Sequence, residues 1–438
     1  MSTVRVGAAV AALTLAAAAL RLWGLGRGFE ADELAILMSG GFWDIASDPS
    51  GGVNPPGLRL LLNLAFPVQD ALPLGRLLSL VCGIAAVPLA FRAGRLAGGT
   101  AVGLYAAALV AAHPVAAEMS TVVRSYSIWL ALALWHVGSV LEVTRQARRT
   151  RAVGVALSAA LLVQVHYVSV PLMVAMAATL AVVAPGRRLW MLYVPAAVTT
   201  LPLAGLVLGA QSRWHDPADG GLTRGLVDIF GLGLGWFFAL AAVLAGVVCL
   251  RKRLQPAVLA LLGGLGGLLV SAVIMGSLHR LTPFVAVFGL PFLAPLLGLM
   301  PGPRRGVWLL VALWPLQSLA RSFEEYGEPK TRDAARRLGE DWREFTAPGE
   351  VIQVHPGHLV DVLRFQELGL LRRDSEREPA CGEVPLCFTV DGRRFEGGGQ
   401  DPVVGLVLRA ERDAPDRLPE GCEALVAEAY YALARCDP

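Results

Sequence analysis

Between Arg151 and Arg187 the chain runs for 35 residues without an Asp, Glu, Lys or Arg. As a single helix that stretch would be roughly 52 Å long, far more than a hydrocarbon core of about 30 Å can hold. A single crossing would also put the Arg145/Arg148/Arg149/Arg151 and Arg187/Arg188 clusters on opposite sides of a membrane. Two short helices that turn near His166-Tyr167 avoid both difficulties.

Apolar runs of this kind recur along the chain, at 6–25, 72–92, 99–117, 123–141, 152–166, 168–185, 189–210, 226–249, 256–277, 281–300 and 305–320. A span takes about 20 apolar residues, fewer where the bilayer thins or the helix packs inside a bundle. With 55% hydrophobic and only 17% charged residues, against about 25% charged in a soluble domain, the chain reads as mainly α. It is a polytopic helical membrane protein of about eleven spans. The net charge of +3 says nothing about nucleic acid, because the basic residues sit in short clusters between the runs. Arg92/Arg95, Arg145–Arg151, Arg187/Arg188, Arg251/Lys252/Arg253 and Arg304/Arg305 follow spans two, four, six, eight and ten. Every second loop is therefore basic, as expected of cytoplasmic loops with the N-terminus inside. The first run, behind Arg5, reads as an uncleaved signal-anchor.

This topology gathers the long loop 26–70, Glu118–Arg124, His166-Tyr167, the 213–224 loop, 277–280 and the whole tail on the outer face. The expected organisation is a transmembrane domain over 1–320 and a small extracytoplasmic α/β domain over 321–438. In the tail, charge becomes dense, with β-like runs at 351–354, 386–390 and 403–408 and helical patterns at 331–345, 358–370 and 422–434. Cys381, Cys387, Cys422 and Cys436 all fall there, and four cysteines facing an oxidising compartment suggest up to two disulfides, with three connectivities open. Within the first loop, Pro56–Phe66 reads as an interfacial amphipathic helix.

Candidate chemistry collects at the outer border. Glu30, Asp32 and Glu33 crowd together just past the first span. A carboxylate desolvated there is raised toward the pKa a general base needs, whereas the plain alternative is a solvated capping cluster. Arg124, in Arg124-Ser125-Tyr126, carries a guanidinium that forks onto phosphate oxygens; its alternative is a snorkelling Arg beside a belt Tyr. His166 and Tyr167 interrupt an uncharged run, and His279-Arg280 form a second cationic pair, each with an ordinary packing or snorkelling alternative. Gly263–Gly267 reads as a helix-packing stretch. No nucleotide-binding glycine motif stands at a strand–helix junction, and no cofactor or metal is expected.

Together these residues resemble the GT-C superfamily of membrane glycosyltransferases, in the branch of protein O-mannosyltransferases and aminoarabinose lipid A transferases. The matching elements are Asp32-Glu33 in the first outer loop, the turn Asn54-Pro55-Pro56-Gly57, Arg124-Ser125-Tyr126 before a span, His166-Tyr167 in a later one, and Arg280 opening a late span. Asn54 stands where the family usually has His, and Gly57 where it has Leu. The resemblance implies a polyprenyl-phosphate-linked sugar donor, a lipid, glycan or protein acceptor, and metal-independent chemistry at the outer face of the cytoplasmic membrane. It also implies Asp32 as general base, with Glu33, Asn54, Arg124, Tyr126, His166, Tyr167, His279 and Arg280 around the substrates. The competing readings are a secondary transporter, which would carry its charges near the midplane on repeated broken helices, and a noncatalytic scaffold with an outer binding domain. Reporter fusions after Arg188 and after Glu325 are expected to report opposite sides of the membrane; two cytoplasmic signals would overturn the topology.

Overall fold

A computed structural model of the protein describes residues 2–25, 33, 57–65, 68–146, 148–184, 187–200, 256–278, 285–299, 351–355, 387–390, 393–397, 405–409, 422–428 and 431–436. The chain divides into two compact units, one of residues 1–24, 46–60 and 76–325, the other of 25–45, 61–75 and 326–438.

The described helices are α1 (Thr3–Gly24), α2 (Gly57–Ala65), α3 (Val68–Gly98), α4 (Thr100–Ala112), α5 (Pro114–Glu118), α6 (Ser125–Arg145), α7 (Arg149–Val165), α8 (Ser169–Val183), α9 (Pro256–Leu278) and α10 (Val285–Leu299). Among the described residues, Thr3–Gly24, Pro73–Gly98 and Ser125–Arg145 are long and apolar enough to cross a membrane, and several shorter apolar helices accompany them. The protein is thus mainly helical and built for a bilayer. The runs at 226–249 and 305–320, and the end of 189–210, lie outside the described residues, as do the helical patterns at 331–345 and 358–370.

The uncharged stretch folds back as its length demands, with α7 and α8 meeting at His166. The return brings three basic clusters to one end of the bundle. Arg92 Nη2 lies 2.9 Å from Glu142 Oε2, and Arg151 Nε lies 3.8 Å from the same oxygen. Arg187 donates to the Thr144 carbonyl at 3.3 Å, and Arg145 donates to the Leu96 carbonyl. A single crossing of 152–186 would have separated these groups by a membrane thickness.

The run 99–117 is broken where a proline forces it. Pro114 has no N–H and pushes the preceding residue to extended backbone, so α4 stops at Ala112 and His113 takes φ −68°, ψ 121°. The His113 ring then caps α5, with Nδ1 accepting from the Ala116 N–H at 3.3 Å. Deeper in the bundle, His136 of α6 joins two neighbours, its Nδ1 2.9 Å from Ser158 Oγ of α7 and its Nε2 3.0 Å from Tyr193 Oη. In hydrocarbon, where water is no competitor, such bonds still contribute only about 0.6 kcal/mol on average, so they select partners more than they stabilise.

Close approach does the rest. α9 packs along α8 and against α10. A side chain at Gly264 would strike the Phe292 ring of α10, and a Cβ at Gly267 would come within 2.7 Å of Ala175 Cβ and 3.0 Å of Leu172 Cα in α8. The Gly263–Gly267 stretch is a packing surface, as read from the sequence.

In the second unit the tail forms a six-stranded mixed sheet, β2-β3-β1-β4-β6-β5. The strands are β1 (Val351–His355), β2 (Cys387–Val390), β3 (Arg393–Gly397), β4 (Gly405–Arg409), β5 (Cys422–Glu428) and β6 (Tyr431–Cys436). β1 is parallel to β3 and β4, and the other pairs are antiparallel. Three of these strands fall where the sequence reading put them. The segment 422–434 does not, because it forms the β5–β6 hairpin rather than a helix. Its Ala, Leu and Glu favour a helix locally, but β6 pairs along the whole of β4, and the ladder outweighs propensities worth tenths of a kcal/mol per residue.

Gly267→Leu is expected to cost about 1–3 kcal/mol by overpacking and to lower the thermal midpoint in detergent. Gly266→Ala, which meets nothing within 4 Å, should leave it unchanged. Equal behaviour of the two variants would refute the packing role.

Candidate functional site

The end of the bundle away from the Arg92–Glu142 cluster holds the polar residues singled out from the sequence. α6 starts at Ser125, with Arg124 as its half-buried N-cap in extended conformation (φ −136°, ψ 155°) and no capping bond from the Arg124 side chain. A helix N-terminus carries roughly half a positive charge, and its first N–H groups point outward. Arg124 adds a full charge at the same spot. The Ser125 hydroxyl beside it is buried and has no hydrogen-bond partner among the described residues.

Across from this terminus lies the α7–α8 turn. The Tyr126 and His166 rings have centroids 5.8 Å apart, tilted by 37°. Their meeting is set three residues further along each chain, where Trp129 Nε1 donates to Ser169 Oγ at 2.7 Å and Ser169 Oγ donates to the Leu162 carbonyl at 2.9 Å. Trp129 and Ser169 are both fully buried, so this bond fixes the register of α6 against the turn. His166 Nδ1 accepts from the Val168 N–H at 3.2 Å, which leaves the ring proton on Nε2 in the neutral form. His166 is therefore a neutral hydrogen-bonding group.

Tyr167, the next residue, has its hydroxyl raised by burial and partly lowered again by the Arg59 charge. Arg59 is itself buried, on the first turn of α2. The site thus has a second guanidinium near the aromatic turn. The glycine that opens α2 explains how it gets there. A Cβ at Gly57 would lie 3.0 Å from Gln164 Cβ and closer still to the Gln164 carbonyl oxygen, so α2 abuts the last turn of α7 only because residue 57 has no side chain. Leu at this position, as in the family pattern, would not fit here.

Arg21 was missed as well. It lies in the last turn of α1, fully buried, and donates to the carbonyls of Ala17 (3.1 Å), Ala111 (3.2 Å) and Val110 (3.2 Å) and to Ser120 Oγ (3.2 Å). Val110 and Ala111 end α4, where a cation meets the negative end of the helix dipole. Ser120 in turn accepts from Ser127 Oγ at 3.2 Å, linking Arg21 to the first turn of α6. The available signal was an arginine inside an otherwise apolar span, which is costly enough to mark a functional or structural role.

The structure thus brings Arg124, Tyr126, His166 and Tyr167 to one place and adds Arg59. Glu33 is fully buried in the second unit. Asp32, Asn54, His279 and Arg280 lie outside the described residues. Among the described residues no group of three or more His, Cys, Asp and Glu side chains gathers in metal-binding fashion.

The fold is similar to those of the solved ArnT and archaeal oligosaccharyltransferase structures. ArnT from Cupriavidus metallidurans bound to undecaprenyl phosphate superposes with a TM-score of 0.56 at 13% identity, over 99% of this chain and 98% of ArnT. The oligosaccharyltransferase of Archaeoglobus fulgidus in complex with Zn and sulfate gives 0.52 at 13% identity, over 81% of this chain. AglB from the same organism, in complex with an inhibitory peptide and a dolichol-phosphate, gives 0.53 at 12% identity over 82% of it. The chain spans 61% and 63% of those two archaeal chains. At such identities the likeness speaks for the fold alone. No family model and no curated relative matches the sequence.

Proposed function

We propose that the protein is a membrane glycosyltransferase that moves a sugar from a polyprenyl-phosphate donor to a lipid, glycan or protein acceptor at the outer face of the cytoplasmic membrane. The observation that carries this reading is the α6 N-terminus. There a helix end, the Arg124 guanidinium and a buried Ser125 hydroxyl without a partner among the described residues converge, with Arg59 and the Tyr126–His166–Tyr167 aromatic turn beside them. A phosphate suits such a cradle, since its oxygens accept from helix N–H groups and from arginine forks. A site for a bare sugar or an amine has no need of two arginines. The fold, similar to those of an ArnT that binds undecaprenyl phosphate and an AglB that binds dolichol-phosphate, supports the same class of donor.

In the proposed reaction an acceptor hydroxyl or amine attacks the anomeric carbon of the donor sugar. Its proton passes to the Asp32 carboxylate. The bond from the anomeric carbon to the phosphate oxygen breaks, and the polyprenyl phosphate departs with the electron pair. Arg124, with Arg59 and the Arg280 of the late span, offsets the charge that develops on that leaving group. Neutral His166 and Tyr126 hold the donor through hydrogen bonds and ring contact, while Glu33, Asn54, Tyr167 and His279 line the substrates. The arrangement around this site is eleven spans with the N-terminus inside, domains over 1–320 and 321–438, and an extracytoplasmic α/β tail.

Asp32→Asn is expected to reduce transfer by about 10²–10⁴-fold, measured as the mass shift on cell-envelope glycans, lipids and glycoproteins that disappears without the gene. It should still bind undecaprenyl phosphate as the parent does in native mass spectrometry. Arg124→Ala should weaken that binding as well as turnover. Full transfer by Asp32→Asn together with loss in Glu33→Gln would transfer the role of base to Glu33, and full transfer by both would end the enzymatic reading of this loop.

A further inference from the structure

The sheet of the second unit bears on the cysteines of the tail, whose pairing the sequence leaves open. Cys422 and Cys436 are Cα partners in the antiparallel β5–β6 ladder. Directly opposed residues of such a ladder have Cα atoms about 4.5 or about 5.5 Å apart, and both spacings lie within the range of about 4.4–6.8 Å that a disulfide spans. Cys387 is elsewhere. It opens β2, at the far edge of the sheet, with β3, β1 and β4 intervening before β6 and then β5. Strands are spaced about 4.8 Å apart, so β2 stands roughly 19 Å from β6 and further from β5. Cysteines with Cα atoms more than about 7 Å apart cannot bond without moving the backbone.

Of the three connectivities that four cysteines allow, two join Cys387 to Cys422 or to Cys436, and the sheet order excludes both. We infer that Cys422 and Cys436 form a disulfide across the open end of the β5–β6 hairpin. Among the described strands β5 ends the sheet order and pairs with β6, and its ladder is irregular between Ala424 and Val426. A covalent tie at the first residue of β5 anchors the last strand in the order of the described sheet, where an edge strand invites pairing with other chains.

Bond formation releases one proton from each thiol and passes two electrons to a disulfide-bearing oxidant, which is reduced to two thiols. The inference rests on the outward placement of the tail, proposed above, only for its supply of that oxidant. The test is non-reducing digestion and mass spectrometry of the full-length protein, with thiols blocked by N-ethylmaleimide at lysis. A peptide linking Cys422 to Cys436, lost on reduction, is expected, and Cys436→Ser should expose the Cys422 thiol while leaving the state of Cys387 unchanged. A link from Cys387 to either residue overturns the pairing. As a second arm, the reduced full-length protein in detergent is placed in a glutathione and glutathione-disulfide buffer. Closure of Cys422–Cys436 there but not in cells upholds the pairing and overturns the outward tail; closure in neither overturns the pairing.

Discussion

Hydrocarbon tolerates neither a bare charge nor an open backbone, and the rest of this molecule follows from that constraint. Helices close their own hydrogen bonds, so the chain crosses as helices and sends its charges to their ends. α6 shows the result within one element. Glu142 and Arg145, near its C-terminus, belong to the ionic cluster with Arg92 and Arg151, while Arg124 caps its N-terminus beside the aromatic turn. The same constraint folds 152–186 into α7 and α8, because a helix of that length has nowhere to put its middle.

Sorting charge to the ends does not by itself make a site. The polar groups at the α6 N-terminus are aligned by contacts that carry no charge. Trp129 bonded to Ser169 sets α6 against the turn, and bare Gly57 lets α2 press onto α7, which carries Arg59 inward. Arg21 ties α1 to the end of α4 and, through Ser120, to the first turn of α6. A hydrogen bond to a charged group contributes about 1.5–3 kcal/mol, so these links restrain α1, α4 and α6 against one another. Such rigidity suits the proposed transfer, which needs the donor phosphate held in place.

The tail obeys different rules. In water, backbone groups can be satisfied in many ways, and the choice between helix and strand falls to neighbours. Segment 422–436 has the composition of a helix, yet it closes the sheet as a hairpin against β4. The same sheet order then separates Cys387 from the other two described cysteines of the tail.

By itself the sequence determined a mainly helical architecture suited to a bilayer, the turn at His166-Tyr167, the common end for three basic clusters, the packing role of Gly263–Gly267 and three of the tail strands. These are legible because hydrophobic length and charge placement are local properties that a bilayer reads directly. Arg124, Tyr126 and His166 were recognisable as candidates by residue type and position along a span. Only the tertiary structure decided that the Tyr126 and His166 rings meet, that Arg59 and Arg21 are buried beside or behind them, that position 57 must be glycine, and that 422–434 is not a helix. Each of those depends on which residues far apart in the chain come within a few ångströms, and no local pattern of hydrophobicity or propensity encodes that.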